Sequence, residues 1–424
     1  MKTLYLDNYK GFEKTFIPFL DVNFFVGENS TGKTAILNLI NILSSPSFWI
    51  SPEFNNETVE LGYFDEIVNQ CSSDKTYFVI GIEFKEKKSK NAPKYFWMKF
   101  KKRSSLPYIA EYMTLIGDKS VLVTMHASSV DYQTIDYNGE KFPDWVLTYG
   151  NFSGQKKRLS TTQFSKMPPL GILRNIIEME IRGDSEGKPT NGIIITPIFN
   201  RLLWFAPIRA KAQRTYESFK QAFSPEGDHI PNILRTIITS RNKVKEGSIV
   251  DALIKFGKES SLFDNIQIDE YSKAKGAPYA INVLYNSLPV RITNVGYGVS
   301  QVMPLIVEIV TSKGDMFAIQ QPEVHLHPKA QAAFGELIYN SVIENKNKFI
   351  VETHSDFTIN RFRYKLSQSE EKSKMSGQIL FFERHHKGTQ VTPIVIKENG
   401  QYPIDMPESY GNFFIDEELK MLEI

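Results

Sequence analysis

Val22-Asn23-Phe24-Phe25-Val26-Gly27-Glu28-Asn29-Ser30-Thr31-Gly32-Lys33-Thr34 is the stretch that decides the fold. The apolar run before Gly27 reads as a buried strand ending in a turn. After Thr34, the residues Ile36, Leu37, Leu39, Ile40 and Leu43 fall at helical spacing, and Ser44-Ser45-Pro46 ends the helix. Between the two, Gly27 to Thr34 match G-x-x-x-x-G-K-[ST] in full, in the strand-to-helix setting that the pattern requires. Glycines let the backbone curl with its N–H groups inward, and the helix presents its positive dipole end to phosphate. Lys33 is placed to reach β- and γ-phosphates and the Thr34 hydroxyl to ligate Mg²⁺. Gly27, Glu28, Asn29, Ser30, Thr31, Gly32, Lys33 and Thr34 are therefore candidate nucleotide-binding residues.

The far end of the chain alternates strands and helices. Met316 to Ile319 reads as a strand, Lys329 to Glu344 as a helix, Phe349 to Val351 and Gln378 to Phe382 as strands. Such alternation implies an α/β fold with a mostly parallel sheet. Closer to the N-terminus, Thr76 to Phe84 and Lys94 to Lys102 are β-rich runs around a lysine-rich connection, a hairpin with a basic tip. Ser104 to Asp269 is the least readable part, with one amphipathic helix around Asn232 to Ser240. Tyr279 to Tyr285 and Leu288 to Ile292 flank a turn at Asn286-Ser287, and an acidic helix is expected from Asp416. The expected division is 1–103 and 276–424 as two parts of one head, with 104–275 as a large α+β insertion.

Lysine plus arginine number 50 against 48 aspartate plus glutamate, a net charge of +2, which excludes a polybasic protein whose whole surface binds nucleic acid. The single cysteine, Cys71, excludes an intramolecular disulfide framework and a cysteine-paired zinc hook. Asp7 interrupts the N-terminus before a signal-peptide core can form, and no run approaches the ~20 apolar residues that span a bilayer. No heptad pattern supports a long coiled coil. These features predict a cytoplasmic protein without membrane attachment.

A second glycine-bearing loop, Thr293-Asn294-Val295-Gly296-Tyr297-Gly298-Val299-Ser300-Gln301, feeds a helix carrying Met303, Leu305, Ile306 and Ile309. The strand ending at Ile319 continues as Gln320-Gln321-Pro322-Glu323-Val324-His325-Leu326-His327-Pro328, and the strand ending at Glu352 as Thr353-His354-Ser355-Asp356. In these segments the sequence resembles the ABC-type P-loop ATPases, in the branch of SMC-like and repair ATPases, OLD-family ATPases and AAA-annotated ATPases of bacterial defence loci. Gly27 to Thr34 resembles Walker A and Val295 to Gln301 a variant signature loop. Ile319 to Pro328 resembles Walker B plus D-loop, and Val351 to Asp356 the switch-histidine loop. Trp204 to Arg209 also resembles a segment common in that branch. The resemblance implies an ABC-ATPase-like head that binds ATP and Mg²⁺, with Thr34 and Gln320 at the metal. Ser300 and Gln301 would meet the γ-phosphate held by an opposing subunit, and His354 the γ-phosphate and attacking water. His325 and His327 would lie at the dimer seam. Their spacing also suits a metal, although no cysteine or third histidine is near in sequence.

Gln320 and Gln321 stand where Walker B has its acids, and with Glu323 and His354 they form the candidate catalytic set. Glutamine keeps the shape but removes the charge, weakening Mg²⁺ ligation and eliminating a general base. Two explanations fit. The chain is a hydrolysis-deficient variant made to trap the ATP-bound dimer, which the intact remainder of the site favours. Otherwise it is a slow natural ATPase using Glu323 or Glu352.

A head of this type implies a homodimer or higher oligomer around ATP, opened by hydrolysis. No second catalytic constellation is present, which points to a separately encoded effector. Lys85, Lys87, Lys88, Lys90, Lys94, Lys99, Lys101, Lys102 and Arg103, with Tyr95, Phe96 and Trp97 among them, form a candidate DNA-contacting hairpin, and Lys156-Lys157-Arg158 a second cluster. The alternative is a solvated hairpin whose aromatics pack inward. The functional expectation is the sensor or regulatory subunit of an anti-phage defence system that controls a nuclease. The runner-up is a repair or chromosome-maintenance ATPase that clamps DNA.

Overall fold

The computed structural model describes residues 1–84, 93–152, 155–160, 171–172, 175–176, 179, 198–199, 201–217, 222–240, 243–272, 274, 276–369, 375–386 and 388–414. Strands β1 (Thr3–Asp7), β2 (Thr15–Pro18) and β3 (Val22–Gly27) precede helix α1 (Lys33–Ser44) and the short α2 (Phe64–Ile67). Then come β4 (Tyr77–Glu83), β5 (Pro93–Arg103), β6 (Leu106–Ile116), β7 (Lys119–Met125), β8 (Ser129–Asp136), α3 (Phe142–Leu147) and β9 (Lys157–Ser160). The middle holds β10 (Leu202–Phe205), α4 (Ile230–Thr239), α5 (Lys243–Ser260), β11 (Asn265–Glu270), β12 (Tyr279–Tyr285) and β13 (Leu288–Arg291). The last third is α6 (Tyr297–Thr311), β14 (Met316–Gln320), α7 (Pro328–Asn345), β15 (Lys348–Glu352), α8 (Asp356–Ser367), β16 (Gly377–His385) and β17 (Gly388–Ile396). The expected acidic helix from Asp416 and the tip of the basic hairpin lie outside the described residues.

Two compact units result. One comprises Met1–Phe19, Glu28–Asn200 and Phe382–Val391, the other Leu20–Gly27, Arg201–Phe381 and Thr392–Ile424. The first is built on an eight-stranded antiparallel sheet in the order β2-β1-β4-β5-β6-β7-β8-β9. Its strands β4 and β6 carry long, mostly buried apolar runs. Phe78 stacks on Phe100 at 4.9 Å, with Phe54 and Phe64 packed around them. Tyr5, Tyr95, Trp97, Met113 and Leu115 form a separate core with Phe142 and Trp145 of α3. Buried along most of their length, β6 and β7 lack a clean period-two pattern, and β9 is a short, largely exposed strand, which is why these strands are poorly legible in the sequence.

In this unit buried Asp131 of β8 is met by Arg158, Lys156 and His126. Arg158 donates to it from Nε at 2.7 Å and from Nη2 at 3.0 Å. Lys156 lies at 3.0 Å and His126 at 2.9 Å. The Arg158 hydrogen bonds lead in holding the Asp131 carboxyl well below the usual carboxylate range. Two members of the Lys156-Lys157-Arg158 cluster are thus anchored on the protein's own carboxylate.

The second unit contains the parallel ladder. In the six-stranded order β10-β14-β15-β3-β16-β17, the first four strands run parallel, with Gln320 beside Glu352 and Glu352 beside Phe25. Phe317 and Phe349, neighbours across β14 and β15, stack at 5.1 Å. Around the ladder, Leu234, Val302, Leu305, Phe334, Ile338 and Phe362 complete the core. A three-stranded meander, β11-β12-β13, joins it, with Asn286 and Ser287 both at positive φ in the tight turn expected there. On α6, buried Glu308 accepts from His229 Nε2 at 3.0 Å and Arg201 Nη2 at 3.3 Å. His229 Nδ1 accepts from the Ser224 amide at 3.1 Å, so the imidazole proton sits on Nε2. No helix among the described residues is long and apolar enough to cross a membrane.

Asp131→Asn is expected to lower the melting temperature by roughly 2–4 °C at neutral pH. A depressed folded pKa stabilises above the unfolded value of about 3.9 and is lost as pH falls through the folded value. Thermal melts should therefore show the wild type losing stability more steeply than the variant below that pH.

Candidate functional site

The loop from Gly27 to Thr34 begins on the last residue of β3, at the carboxyl edge of the parallel strands. Three positions need unusual backbone, with φ of 141° at Gly27, 64° at Ser30 and 88° at Gly32. At Gly32 a Cβ would lie 2.7 Å from the Phe12 ring, so the glycine serves both the turn and the close approach. The Glu28 carbonyl accepts from Lys33 Nζ at 2.6 Å and from the Thr31 hydroxyl at 2.8 Å, which curls the loop over its own lysine. Lys33 is buried, while Glu28, Asn29, Ser30 and Thr34 are exposed. No acidic residue occupies the first turn of α1. The amides and dipole at that helix end are therefore not neutralised by a carboxylate within the turn.

In the second unit, the ends of β14 and β15 carry the other candidates. Gln321 leaves β14 at φ 41° while its amide still donates to the Glu352 carbonyl at 2.8 Å. Two residues on, the Glu323 carboxylate accepts from the His354 amide at 2.7 Å and from the Thr353 hydroxyl at 2.8 Å. Burial pushes the Glu323 carboxyl up, against the lowering effects of those two donors and of the Arg209 charge. Glu323 thus braces the loop that presents His354, and Ser355 caps α8 directly after it by accepting from the Thr358 amide.

Gln320 is buried and its Nε2 has no acceptor among the described residues. Its carbonyl accepts from Arg209 Nη2 at 3.1 Å. Arg209 is 2% exposed, and burial lowers its pKa to about 10. The Arg209 Nε and Nη1 groups also lack acceptors among the described residues. The Arg209 backbone is held by Gln301, whose Oε1 accepts from the Arg209 amide at 2.9 Å and whose Nε2 donates to the Arg209 carbonyl at 3.2 Å. Sequence reading singled out Gln301 and Gln320 but gave Arg209 no role. Its signal was only an arginine closing the apolar run Trp204-Phe205-Ala206-Pro207-Ile208.

Ser300, also buried, donates to the Tyr297 carbonyl at 2.9 Å, one turn back in α6. Tyr297 packs edge-on against His325 at 4.8 Å, and His325 sits at φ 68°. A Cβ on Gly298 would lie 2.5 Å from the His325 carbonyl oxygen, so the second glycine of the loop marks a backbone-to-backbone approach. His327 is exposed and N-caps α7. Beside the first turn of α6 lies a cavity of about 380 Å³, lined in part by Lys211, Tyr216, Asp228, Tyr279 and Pro304. Nothing in the sequence pattern announced it.

The basic hairpin is more self-contained than its composition suggested. Tyr95, Phe96 and Trp97 are buried and pack within the first unit. Lys99 lies over Tyr77 at 4.6 Å, Arg103 over Tyr108 at 4.1 Å, and Lys102 pairs with Asp65 at 2.5 Å. Those aromatics are not presented for stacking on bases. Lys85, Lys87, Lys88 and Lys90 lie outside the described residues.

A family model described as AAA ATPase domain matches residues 1–161 and 197–359. No curated protein matches the sequence. Among solved structures, the chain is similar to an Smc head bound to the C-winged-helix domain of ScpA, with 12% identity over 94% of this chain and 98% of that one, at a TM-score of 0.40. It is similar to the SMC head domain from Thermotoga maritima, with 11% identity over 93% and 98% of the two chains and a TM-score of 0.35. A Pyrococcus furiosus Smc head with an extended coiled coil, bound to the C-terminal domain of ScpA, gives 12% identity over 100% and 98%, at 0.39.

Gly298→Ala is expected to destabilise the protein by about 1–3 kcal/mol, because backbone rather than a side-chain tip must yield. Thermal melts of the variant, beside Gly296→Ala as a control in open space, check this.

Proposed function

The chain belongs to the AAA ATPase domain family, and on that premise we propose that it is an ATP-driven switch working as a dimer, the regulatory subunit for a separately encoded effector. The observation that carries the reading is the phosphate loop. It leaves the carboxyl edge of a parallel ladder, curls over buried Lys33, and opens a helix whose first turn has no acid. In this reading Gly27 to Thr34 take the triphosphate. Ser300 and Gln301 serve the nucleotide of an opposing subunit. His354, presented by the Glu323 brace, serves the γ-phosphate and water.

Mg²⁺ would arrive with ATP as its substrate complex, held by the phosphates and the Thr34 hydroxyl. Gln320 fits a resident cation poorly: an amide brings no charge, and Arg209 is bonded to the same residue. Gln321 supplies no base either. Slow turnover with firm ATP binding is the resulting expectation. The output we favour is control of a nuclease effector in anti-phage defence, supported by the resemblance of the signature, D-loop and switch segments to that branch. The DNA-clamp reading rests on the lysines of β5, and the inward-packed Tyr95, Phe96 and Trp97 count against it.

Lys33→Ala should abolish binding of a fluorescent ATP analogue while leaving the melting temperature near that of the wild type. Gln320→Glu should raise steady-state ATP turnover by about 10- to 100-fold. Equal slow rates in the two chains would sink the idea that the amide limits hydrolysis. Co-purification with the product of the neighbouring gene, with and without ATP, tests the output. A nuclease released or silenced by nucleotide supports the defence reading, and ATP-dependent retention of duplex DNA by the chain alone supports the clamp.

A further inference from the structure

We propose that Arg209 is a positioning residue that joins the first turn of α6 to the ends of β14 and β15, so that Ser300 and His354 respond as one element; this rests on the ATP-switch reading. The contacts form a continuous line within one compact unit. Gln301, next to Ser300, grips both the amide and the carbonyl of Arg209. The guanidinium reaches the carbonyl that ends β14. One residue on, the Gln321 amide donates to the Glu352 carbonyl at 2.8 Å, and the Glu323 carboxylate oxygens hold Thr353 and His354 directly after it. A shift of α6 by a fraction of an ångström must pass to the His354 loop or break one of these bonds, because the packed core between them does not deform smoothly.

The economy of the arginine supports a switching role over a purely architectural one. A buried cation whose only task is to fix a strand end is most stable with all its donors satisfied, and an apolar residue would often do as well. Arg209 instead has Nε and Nη1 without acceptors among the described residues, at a desolvation penalty. Beside it, Gln320 has an unmatched Nε2. Donors held in reserve at the junction of three segments suit an element that finds its acceptors in a second arrangement.

The test uses the full chain, with Arg209→Met, Gln301→Leu, the double variant and Arg209→Lys. Three readouts are needed: affinity for a fluorescent ATP analogue, ATP-driven self-association by analytical ultracentrifugation, and thermal stability. Arg209→Met is expected to keep the analogue affinity yet weaken ATP-driven association by about tenfold, a typical coupling magnitude. Gln301→Leu should cut association by a similar factor, and the double variant should be no worse than either single, since both sever one line. Arg209→Lys should restore the melting temperature without restoring association, because one ammonium cannot reproduce the planar fork. Additive losses in the double variant, unchanged association, or a parallel fall of affinity, association and stability would each overturn the proposal. A wild type that binds no analogue overturns the ATP-switch reading itself. A wild type that binds and associates, beside variants that do the same, overturns this inference alone.

Discussion

A parallel ladder places the carboxyl end of every strand on one edge, and the chemistry of this protein depends on that constraint. The register of β14, β15 and β3 sets Gln320 beside Glu352 and Glu352 beside Phe25, two residues before Gly27. Gly27 stands 293 residues before Gln320, and Gln320 stands 32 before Glu352, yet β3, β14 and β15 end in one row of backbone. The cost is that the strands must be buried on both faces and read as uniform apolar runs. Phe317 on Phe349 shows what that uniformity achieves: packing that locks the register and therefore the order of the loops.

Beyond the ladder, the turns after β14 and β15 are tied together by hydrogen bonds to the Glu323 carboxylate. Glu323 spends both carboxylate oxygens on the Thr353 hydroxyl and the His354 amide. Its geometry is that of a brace, one that ties the turn after β14 to the turn after β15. The Gln321 amide adds a rung to the same ladder beyond the last regular residue. Gly298 against His325, with Tyr297 on the imidazole, brings the loop before α6 to the same turn from another side. The candidate residues Gln321 and Glu323 thus also fasten the turns after β14 and β15 to each other.

What was legible in the sequence follows from which interactions are local. The phosphate loop, the helix after it and the strand–helix alternation from Met316 onward depend on spacing, glycine and helix-ending residues, all visible within a dozen positions. The Asn286-Ser287 turn was readable for the same reason. The antiparallel strands from β6 to β9 were not, because burial along most of β6 leaves Leu106 to Ile116 without a period, and β9 is four largely exposed residues. Arg209 was unreadable for a different reason. Its importance lies in contacts 92 and 111 residues away, and an arginine after an apolar strand looks like any solvated strand end. For the basic cluster, composition shows charge but not that, among the described residues, Asp131, Asp65 and tyrosine faces engage Arg158, Lys102 and Lys99.

The glutamine pair at the acidic positions takes on a different meaning once Arg209 is in view. With a carboxylate at 320, the strand ends would gather three acids, at 320, 323 and 352, around one guanidinium. With Gln320 the acids are two, Glu323 and the buried Glu352, and Arg209 is bonded to the Gln320 carbonyl instead. The amide therefore lowers the negative charge at that edge while leaving Gln320 Nε2 and two arginine groups without an acceptor among the described residues. Such an edge offers hydrogen-bond donors to an oxygen-rich group brought to it. On the ATP-switch reading proposed above, donors without a general base suit holding a nucleotide more than cleaving it, which is the behaviour a switch needs if its ATP-bound state is to persist.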